Sequence, residues 1–478
     1  MFGWMRIRVI AGLVMGCALF STASAQVQPE KTLPNIVLIF VDDMAYGDMS
    51  ANGLDAWIET PNIDAVARSG IRFTDGYAAA PVCGPSRVGL LAGTYPARMG
   101  VWWNPDTSKA EIPDDQPLMS EMLRRHGYDT ALVGKWNLTK DPSAAVDTVI
   151  GPMIWGGVYH PGEDGSYLGV GEGFGAGGHP SGHWVDPEKD GEYLTDWLTR
   201  GAVRYIDGHA GEKPYFLYLA YNAPHSPLEA PVRFKDDVAH LPTEPQKFYA
   251  AMLLAIDESV GKVRSALERK GQLENTLFLF ISDNGPAKSG FRGFPDEWPN
   301  HTLGVTGPFR GEKGTLREGG IRVPFVASWP ERIPAGQVNS TPVTTVDLYR
   351  TFEEIVGQKE PQAALVDGNS LLPLLTGSAE TLKSRDLIWQ KRICRGEKCV
   401  DSAAVRHGVF KLLIEDDGEA QFFKLDDDPG ETTDVKDRHP NRFRNMSERY
   451  AAWKAALPEP ASQLEARGKR SRGKKGGK

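Results

Sequence analysis

Four apolar segments of the sequence are each followed by polar residues of the kind that hold metals and anions. These residues are Asp42 and Asp43, Lys135, His225, and the pair Asp283 and Asn284. Taken singly, an Asp after an apolar segment is typical of a turn, and a lone Lys or His is typical of a solvated or structural side chain. Taken together, three carboxylates and an amide form a hard oxygen cluster that suits Ca²⁺ or Mg²⁺ better than zinc or copper. Lys135, His225 and Lys313 would then surround an anion beside that metal.

The apolar segments themselves predict the strands that must position these residues. Residues 35–41 form a run rich in β-branched side chains, which is typical of a parallel strand buried on both faces. Similar runs occur at 130–133, 215–220, 276–281 and 323–327, with helical patterns between several of them, at 63–69, 118–126 and 248–270. Because α/β sheets bind ligands at the carboxyl ends of their strands, the polar residues are expected to meet at one edge. Beyond about residue 368, short strands at 402–415 and 420–425 and a helix at about 441–455 predict a smaller α+β domain.

The segment Pro81–Arg87 carries a further motif, Pro-Val-Cys-Gly-Pro-Ser-Arg. Here the chain resembles the formylglycine-dependent sulfatases, whose signature is Cys-x-Pro-Ser-Arg followed by a short Thr-Gly-type stretch, represented here by residues 91–98. The resemblance extends over most of the chain after residue 25, through segments 34–43, 60–64, 134–136, 223–225, 282–285 and 311–324. Each segment is a weak signal alone, but their common order is not expected by chance.

The resemblance implies an α/β fold of the alkaline-phosphatase-like type. We expect a large mixed, mostly parallel sheet sandwiched by helices, plus a smaller C-terminal α+β domain with a short antiparallel sheet. The expected domains are a signal peptide over 1–25, a catalytic sulfatase domain over 26–368, the smaller domain over 369–458 and a basic disordered tail over 459–478. The implied activity is the hydrolysis of sulfate ester bonds.

The resemblance also implies a role for each candidate residue. Cys83 would be oxidised before export to formylglycine (3-oxoalanine) by a formylglycine-generating maturation enzyme, and one hydroxyl of the hydrated aldehyde would attack sulfur. Arg87 would hold that hydroxyl. Lys135, His225 and Lys313 would clamp the sulfate, and His225 or Lys313 would protonate the leaving oxygen. The implied ligands of one Ca²⁺ per chain are Asp42, Asp43, Asp283, Asn284 and the formylglycine oxygen at Cys83, with a sulfate oxygen of the substrate.

One position departs from the family pattern. The family usually reads Gly-Lys-Trp-His-Leu-Gly, whereas this chain reads Gly-Lys-Trp-Asn-Leu-Thr over 134–139, so Asn137 replaces the His that would take the proton of the hydrate. One interpretation is that turnover is slow and a sulfated intermediate accumulates, and a second is that the protein binds sulfated glycans without hydrolysing them. We favour instead a different base, because the other residues are intact. The candidates are His160, His179 and His183, in the Gly-rich stretch of residues 151–187.

Aromatic residues in the expected loops suggest a sugar substrate. They are Trp102, Trp103, Trp155, Tyr159 and Trp184. Their flat faces suit stacking on sugar rings, and ordinary loop packing would explain them equally well. The candidate substrate contacts are Lys135, Asn137, His225, Lys313, Trp102, Trp103 and His160. A sulfated carbohydrate is the favoured substrate, and the alternative is a related hydrolase of phosphate diesters or phosphonate monoesters, which would share the metal cluster and Cys83.

The charge distribution argues against a nucleic-acid partner. The 478 residues carry a net charge of −8, but the last twelve carry seven basic residues and no acid, so the remainder carries −15. Binding to phosphate backbones requires a basic face, which an acidic body does not offer. No stretch after the N-terminal segment reaches the roughly 18–20 apolar residues that an integral membrane span requires.

The N-terminal segment has the pattern of an export signal. Arg6 and Arg8 precede a short apolar run over 9–20, and Ala-Ser-Ala at 23–25 offers a cleavage site before Gln26. This pattern predicts a periplasmic or secreted protein, and a lipoprotein acylated at Cys17 is the less favoured alternative. In an oxidising compartment, Cys394 and Cys399 are close enough in sequence to form a disulfide.

Overall fold

The computed structural model describes residues 1, 32–107, 109–110, 112–113, 116–153, 159–161, 181–289, 301–358, 365–395 and 398–461. The chain divides into the units Met1–Thr32 and Leu33–Lys478, and every element below belongs to the second. The predicted signal peptide with Cys17, the basic tail after residue 461, Trp155 and His179 lie outside the described residues.

The second unit alternates strands and helices along most of its length. The strands are β1 (Asn35–Val41), β2 (Ile71–Phe73), β3 (Gly76–Tyr77), β4 (Asp129–Lys135), β5 (Thr148–Met153), β6 (His183–Val185), β7 (Tyr215–Ala220), β8 (Glu229–Pro231), β9 (Thr276–Ser282), β10 (Phe325–Ser328), β11 (Gln337–Asn339), β12 (Val343–Thr344), β13 (Asp386–Arg395), β14 (Lys398–His407), β15 (Phe410–Ile414) and β16 (Gln421–Lys424). The α-helices are α1 (Pro61–Arg68), α2 (Cys83–Ala92), α3 (Asn104–Thr107), α4 (Met119–Arg125), α5 (Pro142–Ala145), α6 (Leu194–Gly208), α7 (Glu244–Arg269), α8 (Glu318–Ile321), α9 (Asp347–Ile355), α10 (Leu372–Leu375) and α11 (Pro440–Ala455).

An eight-stranded mixed sheet forms the centre of the unit, with the order β11-β2-β10-β9-β1-β7-β4-β5. Strands β9, β1, β7, β4 and β5 run parallel to one another. Strand β10 is antiparallel to both of its neighbours, β9 and β2. The mixed, mostly parallel sheet that the sequence predicted is therefore confirmed.

The central strand β1 is apolar from Ile36 onward because helices cover both faces of the sheet. Val37, Ile39 and Val41 pack into one core with residues of α6 and α7. The alternate residues of β1 pack into a second core with residues of α2, α4 and α9. The side-chain period of two along a strand divides one apolar run between the two cores. Each such side chain, when fully buried, contributes about 1.5–3 kcal/mol.

The C-terminal region forms a separate antiparallel sheet with the order β13-β14-β15-β16, as the sequence predicted. Residues 402–415 were predicted as one strand, but the structure divides them between the end of β14 and all of β15. The two strands are connected at Gly408, which has a left-handed backbone with φ 58°. Strand β13 was not predicted. Cys394 and Cys399 form a disulfide across β13 and β14. The domain boundaries remain predictions.

No helix among the described residues is both long and apolar enough to cross a bilayer.

Candidate functional site

The carboxyl ends of four parallel strands meet at one edge of the large sheet. Val41 of β1 is opposite Ser282 of β9, and Phe40 is opposite Ala220 of β7. Ala220 is in turn opposite Gly134 of β4. The polar residues that follow these positions in sequence are thereby brought to a common edge, where an α/β sheet binds its ligands.

Four acidic and amide side chains form a buried cluster at this edge. Asp42, Asp43, Asp283 and Asn284 are each at most 1% exposed. Asn284 Nδ2 donates to Asp43 Oδ1 at 2.7 Å, and the Asp43 backbone N–H donates to Asp283 Oδ1 at 3.3 Å. Asp43 has a left-handed backbone with φ 74°, which Asp tolerates better than most residues.

The donor atoms of this cluster fit a divalent cation. Asp42 Oδ1, Asp43 Oδ2 and Asn284 Oδ1 are buried without a hydrogen-bond partner among the described residues. Buried polar atoms are otherwise almost always paired, so three such oxygens close together have the chemistry of cation ligands. One ligand atom each from Asp42, Asp43 and His225 lie within 4.8 Å of one another. Carboxylate and amide oxygens are the ligands that Ca²⁺ and Mg²⁺ prefer.

Three cationic side chains contact the acids from the other side. Lys135, at the end of β4, forms an ion pair with Asp42. Lys313 Nζ is 2.6 Å from Asp43 Oδ1. Arg87, from the second turn of α2, donates to Asp283 Oδ2 at 2.8 Å and to the Lys135 carbonyl oxygen at 3.2 Å. The predicted anion-binding cations and the predicted metal ligands are therefore neighbours.

Burial and these charges shift the pKa values of the cluster in opposite directions. Burial would raise the pKa of Asp42, but Lys135, His225, Lys313 and Arg87 hold it well below its ordinary value. Burial and the Asp42 carboxylate raise the pKa of Asp283 to about 7. Burial and the nearby Lys313 ammonium lower the pKa of His225 to about 4. Opposed shifts of this kind are typical of functional sites.

Cys83 is the first residue of α2 and is 6% exposed. Its Sγ lies 4.0 Å from Nδ2 of Asn104, whose Oδ1 accepts the Gly84 backbone N–H at 3.3 Å. Arg87, one turn further along α2, contacts Asp283, and Gly314, the residue after Lys313, donates its N–H to the carbonyl oxygen of Pro81 at 2.8 Å, two residues before Cys83. The structure thus brings Cys83, Arg87 and Lys313 to the same site as the acids.

Three further predicted base or substrate residues, Asn137, His160 and His183, are among the described residues, and no contact of the two histidines with the acidic cluster is observed there. Asn137 is 2% exposed and has φ 58°, two residues beyond the end of β4. His160 and His183 stack edge-to-face with ring centroids 5.3 Å apart, and His183 Nε2 is 3.1 Å from Asp190 Oδ2. The hydroxyl of Tyr159, the residue before His160, donates to the His225 carbonyl oxygen at 2.8 Å.

The aromatic candidates differ in exposure. Trp102 is 5% exposed, with the Arg392 guanidinium 4.6 Å from its ring centroid, so its ring is covered. Trp103 is half-buried, with Lys391 Nζ 5.8 Å from its ring centroid. Trp184 is half-buried against Phe248. Of the adjacent pair, only Trp103 therefore keeps part of its surface open to a substrate.

Sequence reasoning missed three residues of this site. Asn104 contacts Cys83 from a stretch without periodic pattern. Tyr218 OH contacts Arg87 Nη1 at 3.3 Å, although in the sequence it is one aromatic residue within an apolar run. Asn222 is 3% exposed, and neither of its amide atoms has a hydrogen-bond partner among the described residues. The rule that found the other strand-end residues would also have found Asn222, which follows β7 by two positions.

A buried carboxyl beneath the site is expected to make stability depend on pH. Glu229 is 0% exposed; its Oε2 accepts the Tyr159 N–H at 2.7 Å, and burial raises its pKa to about 7. As the pH rises, the Glu229 carboxyl loses its proton first in the unfolded state, because folding raises its pKa. The stability that the protonated carboxyl provides is fully present below pH 4.5, and about 3 kcal/mol of it is lost by pH 7.

Glu229→Gln keeps the acceptor for Tyr159 and removes the ionisation. In urea unfolding between pH 5 and 8, the free energy of unfolding of the variant should rise relative to the wild type by about 2–3 kcal/mol over that interval. The same substitution at the exposed Glu268 is the control and should leave the pH dependence unchanged. Parallel curves for Glu229→Gln and wild type would show that Glu229 is not the group responsible.

The chain is similar to known protein families, sequences and structures. A sulfatase family model matches residues 34–357, and a model of the C-terminal part of N-sulphoglucosamine sulphohydrolase matches residues 310–451. The chain is 34% identical to N-acetylgalactosamine-6-sulfatase of Mus musculus over 72% of this chain and 66% of that protein, and thus spans about two thirds of its length. It is 27% identical to N-acetylgalactosamine-6-O-sulfatase of Bacteroides thetaiotaomicron over 91% of this chain and 97% of that protein. The crystal structure of Ps i-CgsB in complex with k-i-k-neocarrahexaose has 31% identity and a TM-score of 0.75, covering 90% of this chain and 94% of that one.

Proposed function

Because the chain belongs to the sulfatase family of sulfuric ester hydrolases, we propose that it hydrolyses a sulfate ester on a sulfated carbohydrate. The observation that carries this proposal is that Cys83 begins α2, the helix whose Arg87 contacts Asp283 in a buried acidic cluster. Three oxygens of that cluster have no hydrogen-bond partner among the described residues. A sulfate ester is anionic, and its alkoxide leaves poorly. A site that neutralises the sulfuryl oxygens lowers the repulsion of a nucleophile, and a proton donor at the leaving oxygen lets the sugar depart as an alcohol.

Two groups complete the proposed site. Cys83 is the residue that would carry formylglycine, whose hydrate would supply the nucleophilic hydroxyl. A Ca²⁺ ion would supply positive charge for a sulfate oxygen, and its proposed ligands are Asp42, Asp43, Asp283 and Asn284. The unpaired oxygens of Asp42, Asp43 and Asn284 support this ligand set.

The side chains around Cys83 have separate proposed tasks. Arg87 holds the hydroxyl at residue 83, and its own place is fixed by Asp283 and Tyr218. Lys135 and Lys313 neutralise the sulfuryl oxygens. His225 or Lys313 protonates the leaving oxygen, a step worth about 10²–10⁴-fold. Lys313 is the favoured acid, because burial would lower its pKa but Asp43 raises it above its ordinary value, whereas burial and the Lys313 ammonium lower the pKa of His225 to about 4. The His225 ring is held through Nδ1, which lies 2.6 Å from the Ser226 carbonyl oxygen, so Nε2 is the atom that faces Asp43, 3.9 Å away.

Asn137 bears on the last step, in which the hydroxyl at residue 83 loses its proton. Asn137→His should keep turnover or raise it by up to about 10²-fold, the lower end of what a general base contributes. The left-handed backbone at this position accepts His nearly as readily as Asn. Steady-state sulfate release measures the effect, and Asn137→Gln, which cannot titrate, should not exceed the wild type. Loss of activity in Asn137→His with metal binding intact would instead give Asn137 a specific role, and the proposal that another base replaces the family's His would be wrong.

Ion chromatography on a panel of sulfated glycans tests the proposed function. Release of inorganic sulfate supports it. Release of phosphate from phosphate diesters or phosphonate monoesters, with no sulfate from any glycan, would identify the related hydrolase instead. Binding of glycans without release of either ion, when residue 83 is verified as formylglycine, would identify a non-catalytic binding protein. The names of the N-acetylgalactosamine-6-sulfatase relatives support N-acetylgalactosamine 6-sulfate as a first substrate.

Export to the periplasm or the medium is part of the proposal. It is supported by the composition of residues 1–25 and by the Cys394–Cys399 disulfide, since disulfides persist in oxidising compartments. A mature chain that begins at Gln26, measured by intact mass, would support cleavage, and retention of residues 2–25 would contradict it.

A further inference from the structure

Lys391, on β13 of the C-terminal sheet, is a buried cation without a counter-ion among the described residues. It is 9% exposed, and its Nζ donates to the Gly314 carbonyl oxygen at 2.8 Å. Burial lowers its pKa, and the Asp416 and Glu415 carboxylates oppose that shift from outside ion-pair distance. Those two acids have other partners: Glu415 pairs with Arg317, and Asp416 accepts the Ser402 hydroxyl. A buried ammonium group is usually paired, so its open donors suit an anionic ligand.

The surroundings of Lys391 connect it to the proposed catalytic centre by two routes. The first route runs through Gly314, whose N–H donates to the Pro81 carbonyl oxygen at 2.8 Å, and Pro81 is two residues before Cys83. The residue before Gly314 is Lys313, which contacts Asp43. The second route runs through Trp103. The Lys391 ammonium lies over the Trp103 ring, and the next residue in the sequence, Asn104, contacts Cys83. Gly314 has a left-handed backbone with φ 88°, and a Cβ atom built on it would lie 3.4 Å from the Trp103 ring, an ordinary contact distance. Gly314, Lys391 and Trp103 therefore pack together.

We propose that Lys391 and Trp103 form a subsite for a second anionic group of the substrate, a sulfate or carboxylate on the sugar that is hydrolysed or on its neighbour. The inference rests on the proposed function, because the first sulfate is the one placed at Cys83. Trp103 offers a ring face for the sugar, and Lys391 offers charge-assisted hydrogen bonds. The substrate class is therefore a glycan with at least two anionic groups.

Calorimetric binding to Cys83→Ala protein tests the subsite without turnover. The probes are N-acetylgalactosamine 6-sulfate, its 4,6-disulfate, and a disaccharide in which a uronate is linked to the 6-sulfated sugar. At least one dianionic probe should bind more tightly than the monosulfate. Adding Lys391→Met should weaken that probe by about 10- to 100-fold, the value of a hydrogen bond to a charged group, and leave the monosulfate within about twofold. The probe that is affected distinguishes sulfate from carboxylate.

Two further variants separate charge from structure. Lys391→Arg should retain most of the preference for the dianionic probe, whereas Lys398→Met, on the exposed end of the same hairpin, should have no effect. Equal loss for all three probes in Lys391→Met, no preference for either dianionic probe, or no binding at all would overturn the subsite. Sulfate release from the same probes by the formylglycine form tests the proposed function separately: binding selectivity without release would contradict the function alone, and release without selectivity would contradict the subsite alone.

Discussion

Cys83→Ala is expected to reduce sulfate release by more than about 10⁴-fold, because a covalent mechanism without its nucleophile keeps only the contributions of binding and charge stabilisation. Ala fits at the first position of α2 as well as Cys does, since it is the strongest helix former. The fold and the acidic cluster should therefore persist. Initial rates on N-acetylgalactosamine 6-sulfate, with thermal unfolding as the check on folding, measure the effect.

The mass of the tryptic peptide that spans residue 83 accompanies this measurement. Conversion of the thiol to the aldehyde makes the peptide about 18 Da lighter by mass arithmetic on the modification. The double variant Cys394→Ala, Cys399→Ala is the control: it removes two cysteines on the C-terminal hairpin and should leave the activity of the folded protein within about twofold. An unmodified Cys83 in a fully active enzyme, or full activity of Cys83→Ala, would refute the proposed nucleophile.

The central strands were predictable from sequence because helices cover both faces of the sheet. Such strands become continuous apolar runs, and the sequence prediction of β1 and β7 agrees with the observed bounds. The prediction of 402–415 as one strand missed the turn at Gly408, although a Gly between two strand-like runs is itself a turn signal. The direction of β10 was not predictable either, since an apolar run has the same pattern in both directions.

The residues of the candidate site also fall into two groups, those that were predictable from the sequence and those that were not. Residues that directly follow a buried strand, such as Asp42 and Asp283, were predictable because the sheet alone determines where they lie. Asn104 and Lys391 reach the same region from a helix of one turn and from the C-terminal sheet. Their placement depends on how distant segments pack, which no local pattern in the sequence records.

Lys411→Met is expected to lower the free energy of unfolding by about 3–5 kcal/mol, the largest effect on stability that we predict. Lys411, on β15, is 0% exposed, and its Nζ lies 2.8 Å from Glu318 Oε1 and 2.9 Å from Glu431 Oε1. Burial would raise the pKa of Glu318, but Lys411 and two arginines lower it to about 2. Both carboxylates are buried. Arg322 would still pair with Glu318 in the variant, but Glu431 would lose the cation that faces it, and a buried negative charge would remain between α8 and the C-terminal sheet.

Met is close to Lys in length and fills the same space, so the loss would come from charge and not from a cavity. Lys424→Met is the matched control: Lys424 lies on the adjacent strand β16, pairs with the exposed Asp427 at 2.8 Å, and should contribute at most about 1 kcal/mol. Adding Glu431→Gln to Lys411→Met should recover part of the loss, because one of the two facing charges is then removed. Chemical unfolding monitored by tryptophan fluorescence measures all three variants. Equal losses of stability in Lys411→Met and Lys424→Met would show that the ion pairs of Lys411 do not hold the C-terminal sheet against α8. Recovery of stability on adding Glu431→Gln would assign the loss to the repulsion between Glu318 and Glu431.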